Sequence, residues 1–430
     1  MKKKMFAMLL CLTILLSMAA CSAPSSQPAS GAASVGGEDR DEIVLELWYW
    51  QSSLNDELIE QVSEQFPGIR INANKFNSEN MQEKVITALA SDSPLPDILV
   101  MDDWVSNVLP DADKFYNLYD APFNAAEYRD NYVEWKWEKA ETADGSKLIA
   151  IPIDAGPTAM FYRADLFEAA GLPSDPAEVA ELMATWDGAL AAAKQMMDTT
   201  GVCMFDFTCN LYWMIMNQGE LGLVDENNKF VGDQEHAKEA FYTAAAFSDY
   251  VFGMPDMYGT EWGAALNNGD VAAYCSAIWT IDMLKNNAPD TAGLWRVTSQ
   301  PGGPGNYGGS CIGIPATSEH PEEAFEVILW LQNAQNQITQ LQENSLFPTN
   351  LEALASPDIL VEDEFFGGQI VNEFFVDAVK NIPSQYVGLN YSAYRQYFYD
   401  ELRLVQDTGK NVDEAWEDAV AGCKALEKTF

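Results

Sequence analysis

The chain has 430 residues, 48% of them hydrophobic, and its 65 Asp and Glu against 24 Lys and Arg give a net charge of −41. This composition is typical of a globular protein of about two or three domains and excludes a small disulfide-stapled scaffold. The negative charge argues against nucleic-acid binding, since affinity for phosphate backbones comes mainly from Lys and Arg. His236 and His320 stand far apart, so no transition-metal site is expected.

The first residues have the pattern of an export signal. Three lysines precede an apolar run at residues 5–18, which is too short to span a bilayer. The run ends at Met18-Ala19-Ala20-Cys21, which resembles the bacterial lipobox. That resemblance implies cleavage before Cys21 and lipidation of its thiol, and the alternative is an ordinary secretory signal cleaved after Ala20. Residues 1–20 are therefore predicted to be a signal peptide.

A flexible tether is predicted to follow the lipidation site. Residues 22–40 consist largely of Ser, Ala, Pro, Gly and Gln, which cannot bury enough apolar surface to fold. Residues 21–41 are therefore predicted to be a lipid-anchored linker between the membrane and a globular body.

Strand and helix patterns alternate at the start of that body. The nearly unbroken apolar run at residues 43–50 predicts a strand covered on both faces. Ser53 is a predicted N-cap for the next helix, and Ser78 is predicted to open a second one. Further strands are predicted over residues 69–73 and 97–101. This alternation indicates a parallel, doubly wound sheet.

The pattern changes after residue 147. Residues 147–153 predict a strand that ends in Asp154-Ala155-Gly156-Pro157, before a strand pattern resumes over residues 158–162. We interpret the Gly-Pro interruption as a crossover between two lobes. Thr185 is a predicted N-cap for a helix over residues 186–197. Returning strands are expected over residues 271–276 and 311–315, and mainly helical segments over residues 321–342 and 369–430.

Cysteines and acidic loops give no clear site. The predicted body contains Cys203, Cys209, Cys275, Cys311 and Cys423, an odd number that leaves at least one free thiol in a monomer. The sequence does not decide whether Cys203 and Cys209 form a disulfide. Asp111-Ala112-Asp113 and Asp225-Glu226-Asn227-Asn228 hint at calcium loops, but neither has EF-hand spacing, which favours solvated loops.

Aromatic rings and polar groups stand at the ends of two predicted strands. Trp50 and Gln51 follow the first strand, and Asp103 and Trp104 follow the third. Ligands of open α/β sheets bind beyond the carboxyl ends of the parallel strands. Sugars offer CH faces that rings cover and hydroxyls that bond to carboxylates and amides, so a carbohydrate site is favoured. Later aromatic candidates are Tyr212, Trp213, Trp262, Trp279, Tyr307 and Tyr391.

Other interpretations of these residues remain open. Most aromatic side chains must pack in the core, and Asp102 and Asp103 could equally be a solvated strand end or a helix N-cap. The chain has no nucleophile elbow, P-loop or dinucleotide fingerprint. A secreted glycosidase or polysaccharide lyase is the alternative function, because two of the many acids could converge. An anionic solute would need converging cations, and Arg163 is the nearest candidate.

Several segments carry a family resemblance. They are residues 81–85 (MQEKV), 87–90 (TALA), 96–100 (PDILV), 147–152 (KLIAIP), 156–167 (GPTAMFYRADLF), 185–187 (TWD) and 308–315. Together they resemble the extracellular solute-binding proteins of bacterial carbohydrate ABC importers, in the lipoprotein form, over about residues 43–430. Residues 365–369 and 381–383 are similar to the subgroup that handles pentose- or galactose-containing oligosaccharides.

The resemblance implies two doubly wound α/β lobes joined by a hinge, with sugar bound between them. Residues 42–154 with 312–356 are expected to form one lobe, and residues 155–311 with 357–430 the other. The protein is then a receptor and not an enzyme, which needs no cofactor and delivers a sugar or oligosaccharide to an ABC permease. It is expected to be a monomer, lipid-anchored at the outer face of the cytoplasmic membrane.

The predicted site follows from the strand ends, the aromatic residues and the resemblance. The expected ligand-binding residues are Trp50, Gln51, Asp103, Trp104, Trp213, Trp279, Tyr307 and Tyr391. The expected hinge consists of Asp154, Gly156 and Pro157, where Gly156 could be required for a backbone conformation closed to other residues or simply to avoid a clash. No catalytic or metal-binding residue is predicted.

Overall fold

The structure of the protein is a computed structural model that describes residues 42–253, 259–388 and 390–429. The predicted signal peptide, the lipidation site Cys21 and the whole of the predicted linker lie outside the described residues. Contacts group the body, Glu42–Phe430, into one unit. None of the helices in the described part combines the length and the apolar character that crossing a membrane requires.

The body begins with alternating strands and helices, as predicted. These elements are β1 (Ile43–Trp50), α1 (Asp56–Gln65), β2 (Ile69–Phe76), α2 (Ser78–Ala90) and β3 (Ile98–Met101). Strand β1 pairs in parallel with both β2 and β3, which confirms the predicted strand direction. Leu45 and Leu47 on β1 are fully buried, as expected for a strand covered by helices.

The cap of the first helix differs from the prediction. Asn55, not Ser53, precedes α1, and its side-chain oxygen accepts a hydrogen bond of 2.9 Å from the Leu58 amide. The Ser53 hydroxyl instead donates to the carbonyl oxygen of Trp50 at 2.7 Å, within the turn that leaves β1. Both residue types can cap a helix, so the turn geometry decides between them.

The middle of the chain contains the second sheet and most of the shorter helices. In order, the elements are α3 (Glu134–Glu138), β4 (Ala150–Pro152), β5 (Asp154–Ala155), β6 (Thr158–Arg163), α4 (Ala164–Ala169), α5 (Pro176–Leu182), α6 (Trp186–Thr200), α7 (Thr208–Met216), α8 (Glu235–Ala245), α9 (Thr260–Asn268), β7 (Ala273–Ala277), α10 (Thr280–Asn287) and β8 (Trp295–Thr298). Thr185 caps α6 as predicted and accepts from the Gly188 amide at 3.1 Å. Strand β4 is shorter than predicted, because the Leu148 amide donates to the side chain of Asn117.

The last part of the chain is mainly helical, as predicted. It consists of β9 (Cys311–Gly313), α11 (Pro321–Leu331), α12 (Ala334–Asn344), β10 (Phe347–Pro348), α13 (Leu351–Leu354), α14 (Asn372–Lys380), α15 (Tyr391–Thr408) and α16 (Val412–Glu427).

Two larger sheets organise the body. The first has the order β2-β1-β3-β9-β4, with β9 antiparallel to both of its neighbours, so distant segments complete the parallel core. The second has the order β7-β6-β8, and both of its pairings are antiparallel. The second sheet therefore differs in strand direction from the parallel pairs of the first sheet, for which the sequence predicted the parallel arrangement. Its strands β6 and β7 are buried along their whole length.

Three buried clusters form the hydrophobic core. One surrounds the first sheet, and a second packs α6, α7 and α8 against α15 and α16. The third joins Phe161 of β6 and Phe375 of α14 to Trp135, Phe347 and Leu354. Because this cluster draws on segments predicted for both lobes, the exact lobe boundaries stay a prediction.

The predicted hinge lies where chain segments cross between the two sheets. Strand β5 pairs antiparallel with β10, and Pro157 forms an isolated bridge with Asn306. The Gly156 amide donates to Asn306 Oδ1 at 3.0 Å, and the Tyr307 amide donates to the Gly156 carbonyl at 2.8 Å. A Cβ on Gly156 would lie 1.8 Å from the Tyr307 oxygen, although its backbone is not left-handed. Space, and not a special backbone conformation, is thus what requires glycine here.

Candidate functional site

A cavity of about 690 Å³ lies among the described residues. Its walls come from residues 103–145 on one side and from residues 220–227 and 384–387 on the other. Asp103, Ser106 and Lys139 line one side, and Asp225 and Gln385 line the other. This volume lies within the range of about 300–1,000 Å³ usual for small-molecule sites. A smaller cavity adjoins it, sharing Asp103, Lys139 and Gln385, and adding Asn217 and Asn306.

Asp103 reaches this cavity through a short 3₁₀ helix and not from the strand itself. Strand β3 ends at Met101, and the Asp102 carboxylate caps the helix Asp103–Asn107 by accepting from the Asp103 amide at 2.8 Å. The carboxylate of Asp103 forms an ion pair with the Lys139 ammonium, which is largely buried. The two neighbouring acids therefore have different roles, one as a cap and one in the cavity wall.

The other predicted residues near the first sheet do not line either of these cavities. Trp50 and Trp104 pack against the first core cluster, and the indole nitrogen of each is buried without a hydrogen-bond partner among the described residues. Gln51 is exposed, and its backbone amide donates to the carbonyl oxygen of Phe76 at 3.1 Å. A ligand role for Trp50, Gln51 and Trp104 stays a prediction.

The structure brings the four later aromatic residues together. The ring centroid of Trp213 lies 6.1 Å from that of Tyr307 and 5.6 Å from that of Tyr391. The ring centroids of Trp279 and Tyr307 lie 5.1 Å apart, and all three pairs pack edge to face. Trp279 also donates to the Tyr307 carbonyl at 3.4 Å. These contacts join segments from α7, the crossing region and α15 into one aromatic cluster (Trp213, Trp279, Tyr307 and Tyr391).

The aromatic cluster contains buried polar atoms that lack partners. Within the described residues, neither the Trp213 indole nitrogen nor the Tyr391 hydroxyl has a hydrogen-bond partner, and both residues are at least nine-tenths buried. Burial raises the pKa of Tyr391, and the charge of Asp103 acts in the same direction while Arg395 opposes it. Asn217 at the end of α7 and Asn306 next to Tyr307 line the adjoining cavity together with Asp103, so the aromatic cluster lies close to the cavity wall.

A guanidinium group supports the cluster from one side. The Cζ atom of Arg395 lies 4.4 Å from the ring centroid of Trp213 and 5.3 Å from that of Tyr399. Cations over aromatic faces are attracted by the ring quadrupole. Arg395 therefore holds the orientation of Trp213 without occupying the cavity wall.

A buried lysine lies near two acidic side chains where the chain segments cross beside the site. Lys136 on α3 is fully buried, and its Nζ has no hydrogen-bond partner in the described part of the chain. Burial raises the pKa of Asp102 to about 6 and also raises that of Asp154, while the charge of Lys136 opposes both shifts. The Asp154 carboxylate accepts from the Ser310 amide at 2.7 Å. Lys136 thus offsets two acids at the crossing.

Sequence reasoning missed several of these residues. Ser106, Lys139 and Asn217 line the cavities and Arg395 contacts the aromatic cluster, but none of them was singled out. The buried Lys136 at the crossing was not singled out either. Single polar residues on helices carry no local signal that separates them from surface positions. Their positions at the site become visible only in the folded structure.

No trio of His, Cys, Asp or Glu side chains in the described chain is arranged to hold a metal ion. The two loops considered for calcium have other bonds. Asp225 accepts from the amides of Asn227 and Lys229, both at 2.9 Å, and Asp113 pairs with Lys147. Cys203 and Cys209 are free thiols, so the disulfide left open by the sequence is not formed in this structure.

Comparison with known proteins identifies relatives over most of the chain. The sequence model of a family described as bacterial extracellular solute-binding protein matches residues 57–366. The chain is 24% identical over 364 residues to a lactose-binding protein of Rhizobium radiobacter, covering 80% of this chain and 83% of that protein. It is 22% identical over 385 residues to an arabinooligosaccharide-binding protein of Halalkalibacterium halodurans, covering 84% of this chain and 83% of the other.

A solved structure gives the same result for the fold. The crystal structure of an extracellular solute-binding protein of family 1 superposes with a TM-score of 0.84 and 27% identity, covering 90% of this chain and all of the other. The predicted two-lobed α/β class is thereby confirmed.

Proposed function

Because the chain belongs to the bacterial extracellular solute-binding proteins, we propose that it is a receptor for a sugar or oligosaccharide and delivers this ligand to an ABC import permease. The proposal places the sugar between the Asp103 side of the cavity and the aromatic cluster. Rings of the cluster cover sugar CH faces, and polar side chains bond to the hydroxyls.

The observation that carries this proposal is the set of buried polar atoms without partners around the site. They are the Trp213 nitrogen, the Asn217 amide nitrogen, the Tyr391 hydroxyl and the Ser106 hydroxyl. Leaving such a group unsatisfied costs about 1–3 kcal/mol. A ligand rich in hydroxyl groups satisfies several of them at once, which a purely apolar ligand does not.

The names of the relatives support the same ligand class. One relative is a lactose-binding protein and another is an arabinooligosaccharide-binding protein, and both align over most of their length. Both names denote neutral sugars. For this chain, lactose and arabinooligosaccharides are therefore the first ligands to test.

The receptor is proposed to leave its ligand chemically unchanged. The cavity carboxylates of Asp103 and Glu141 are engaged in ion pairs with Lys139 and Arg129, respectively. These two carboxylates are therefore occupied by cations, whereas a glycosidase needs a pair of carboxyl groups free to act on the scissile bond. Their contacts therefore favour binding over hydrolysis.

As an extracellular solute-binding protein, the chain acts outside the cytoplasm. We further propose that acyl chains on Cys21 hold it at the outer face of the cytoplasmic membrane and that it works there as a monomer. The linker then gives the body freedom to meet the permease, since Gly- and Ser-rich chains behave as flexible coils.

A thermal-shift screen of the globular body, residues 42–430, tests the proposal. The panel contains lactose, cellobiose, arabinooligosaccharides and maltooligosaccharides, and a bound sugar raises the melting temperature by mass action. Calorimetry on each hit and chromatography of the recovered sugar follow. Binding with intact recovery is expected; cleavage of the sugar would support the glycosidase alternative, and a panel without any binding would overturn the receptor proposal.

A further inference from the structure

Most of the charged side chains in the wall of the cavity are carboxylates. Those among the described lining residues are Asp103, Glu138, Glu141, Glu220, Asp225 and Glu226. Lys139 is the single lysine or arginine in the described lining. The cavity therefore carries a net negative charge on its walls, in addition to the charge of the whole chain.

Cations compensate the acids on only one side. Lys139 pairs with Asp103, and Arg129 pairs with both Glu138 and Glu141. On the opposite side, Glu220 and Glu226 are exposed, and the salt bridges of the described chain include neither of them nor Asp225. We call Glu220, Asp225 and Glu226 the acidic rim.

Asp225 is held in place within the acidic rim. Its Oδ1 accepts from the amides of Asn227 and Lys229, so the carboxylate is part of a turn and cannot swing away. Lys229 offers its backbone and not its ammonium to this contact. One of the three rim charges, that of Asp225, therefore has a fixed position relative to the cavity.

Two buried side chains indicate independently that this space receives a polar ligand. Ser106 is 6% exposed and lines the larger cavity, and its hydroxyl has no partner among the described residues. Asn217 is 7% exposed and lines the adjoining cavity, and its amide nitrogen is also without a partner there. Ligand atoms in this space therefore lie between such groups and the acidic rim.

We propose that the acidic rim selects ligands by charge, so that the site binds oligosaccharides carrying an amino group more tightly than their neutral parents and discriminates against uronates and sulfated sugars. This inference rests on the proposed carbohydrate-receptor function. A fixed carboxylate attracts an ammonium and repels a carboxylate, and the effect weakens with salt. For an exposed rim, the effect is about threefold in affinity in each direction at low ionic strength.

Matched probes isolate the charge. Lactose, cellobiose and an arabinotriose are each prepared with a terminal primary alcohol intact, replaced by an amine, or oxidised to a carboxylate. Calorimetry is run at about 20 mM and about 500 mM NaCl, where the Debye length falls from about 20 Å to a few ångströms. The amine form of a binding sugar is expected to bind about tenfold tighter than its carboxylate form at low salt, and the ratio is expected to fall at high salt.

A variant assigns this effect to the rim. The triple change Glu220→Gln, Asp225→Asn and Glu226→Gln keeps the side-chain shapes and the acceptor atom of the turn, and it is expected to reduce the ratio to about two or less at low salt. The matched control removes three exposed carboxylates from α1 and α2, at Glu60, Glu64 and Glu83, and is expected to leave the ratio unchanged.

The outcomes separate this inference from the receptor proposal. Carboxylate forms that bind as tightly as amine forms at low salt would overturn charge selection while leaving carbohydrate binding intact. A preference that survives the rim variant, or disappears equally in the control, would overturn its assignment to these residues. If no probe of any charge binds, the receptor proposal fails and this inference fails with it.

Discussion

Replacing Gly156 by Ala tests how closely the crossing segments must approach. An added Cβ would lie 1.8 Å from the carbonyl oxygen of Tyr307 and 2.6 Å from its carbonyl carbon. Contacts under 3.0 Å essentially never occur for real Cβ atoms, so the two segments must separate by at least about 1.2 Å. Both contacting atoms are backbone atoms, so a side-chain rotation cannot relieve the clash.

Two hydrogen bonds limit that separation. The Gly156 amide donates to Asn306 Oδ1 at 3.0 Å, and the Tyr307 amide donates to the Gly156 carbonyl at 2.8 Å. Losing both costs about 1–3 kcal/mol, and residual crowding adds a similar amount. Because Ala also reduces the entropy of the unfolded chain by about 0.4–1 kcal/mol, we expect a net loss of about 1–5 kcal/mol in the free energy of unfolding.

Urea unfolding of residues 42–430 measures this loss, with Gly219→Ala as the matched control. Gly219 has no atom closer than 4.0 Å to an added Cβ and no left-handed backbone, so its substitution should change the free energy of unfolding by less than about 0.5 kcal/mol. Sugar affinity of Gly156→Ala should also fall, because Tyr307 contacts Trp279 in the aromatic cluster. The reasoning is refuted if Gly156→Ala unfolds within about 0.5 kcal/mol of wild type.

Four further predictions concern charge, binding, closure and the anchor. Lys136→Met removes the buried cation beside the acids of the crossing and should lower the free energy of unfolding by about 3–5 kcal/mol at pH 7. The loss should be smaller at pH 5, because the raised pKa of about 6 lets Asp102 take up a proton in the folded state at a higher pH than in the unfolded state. The stability of the variant therefore rises as the pH falls through this range. A cost independent of pH in urea unfolding would contradict this. Trp279→Ala should weaken binding of the sugar found in the screen by about 5- to 150-fold in calorimetry, and unchanged affinity in a folded variant would remove Trp279 from the site. X-ray scattering should give a smaller radius of gyration with saturating sugar, whereas coinciding profiles would indicate a rigid binder. Cells expressing the full chain should incorporate labelled palmitate, and Cys21→Ser should abolish the label; equal labelling of both would exclude this anchor.

The parts of the fold that follow from local patterns were predictable. The apolar run of β1 and the cap of α6 at Thr185 depend on neighbouring residues, and the structure confirms both. The N-cap of α1 was predicted at the wrong residue, because Ser53 and Asn55 have similar local propensities. The choice depends on the turn after β1 and on distant partners of Asn55, whose amide nitrogen donates to Asn344 at 2.7 Å.

The site was predictable only in outline. Aromatic residues from α7, the crossing region and α15 meet as a cluster, but the rule of strand ends fixes the position of a residue and not the direction of its side chain. Trp104 illustrates the difference, because it follows β3 as expected and then packs into the first core cluster. Asp103 lies one residue earlier and lines the cavity instead.

The net charge of the chain and the charge near the cavity are different properties of this protein. A net charge of −41 predicts poor binding of polyanions, but it does not say which acids a ligand meets. Salt screens exposed charges beyond about 8 Å at physiological ionic strength, so most of the 65 acids have little influence at the cavity. Lys139 and Arg129 pair with the acids of one wall, whereas the acids of the rim have no such partner among the salt bridges of the described chain. The proposed ligand selection therefore depends on the three carboxylates of the acidic rim and not on the total charge.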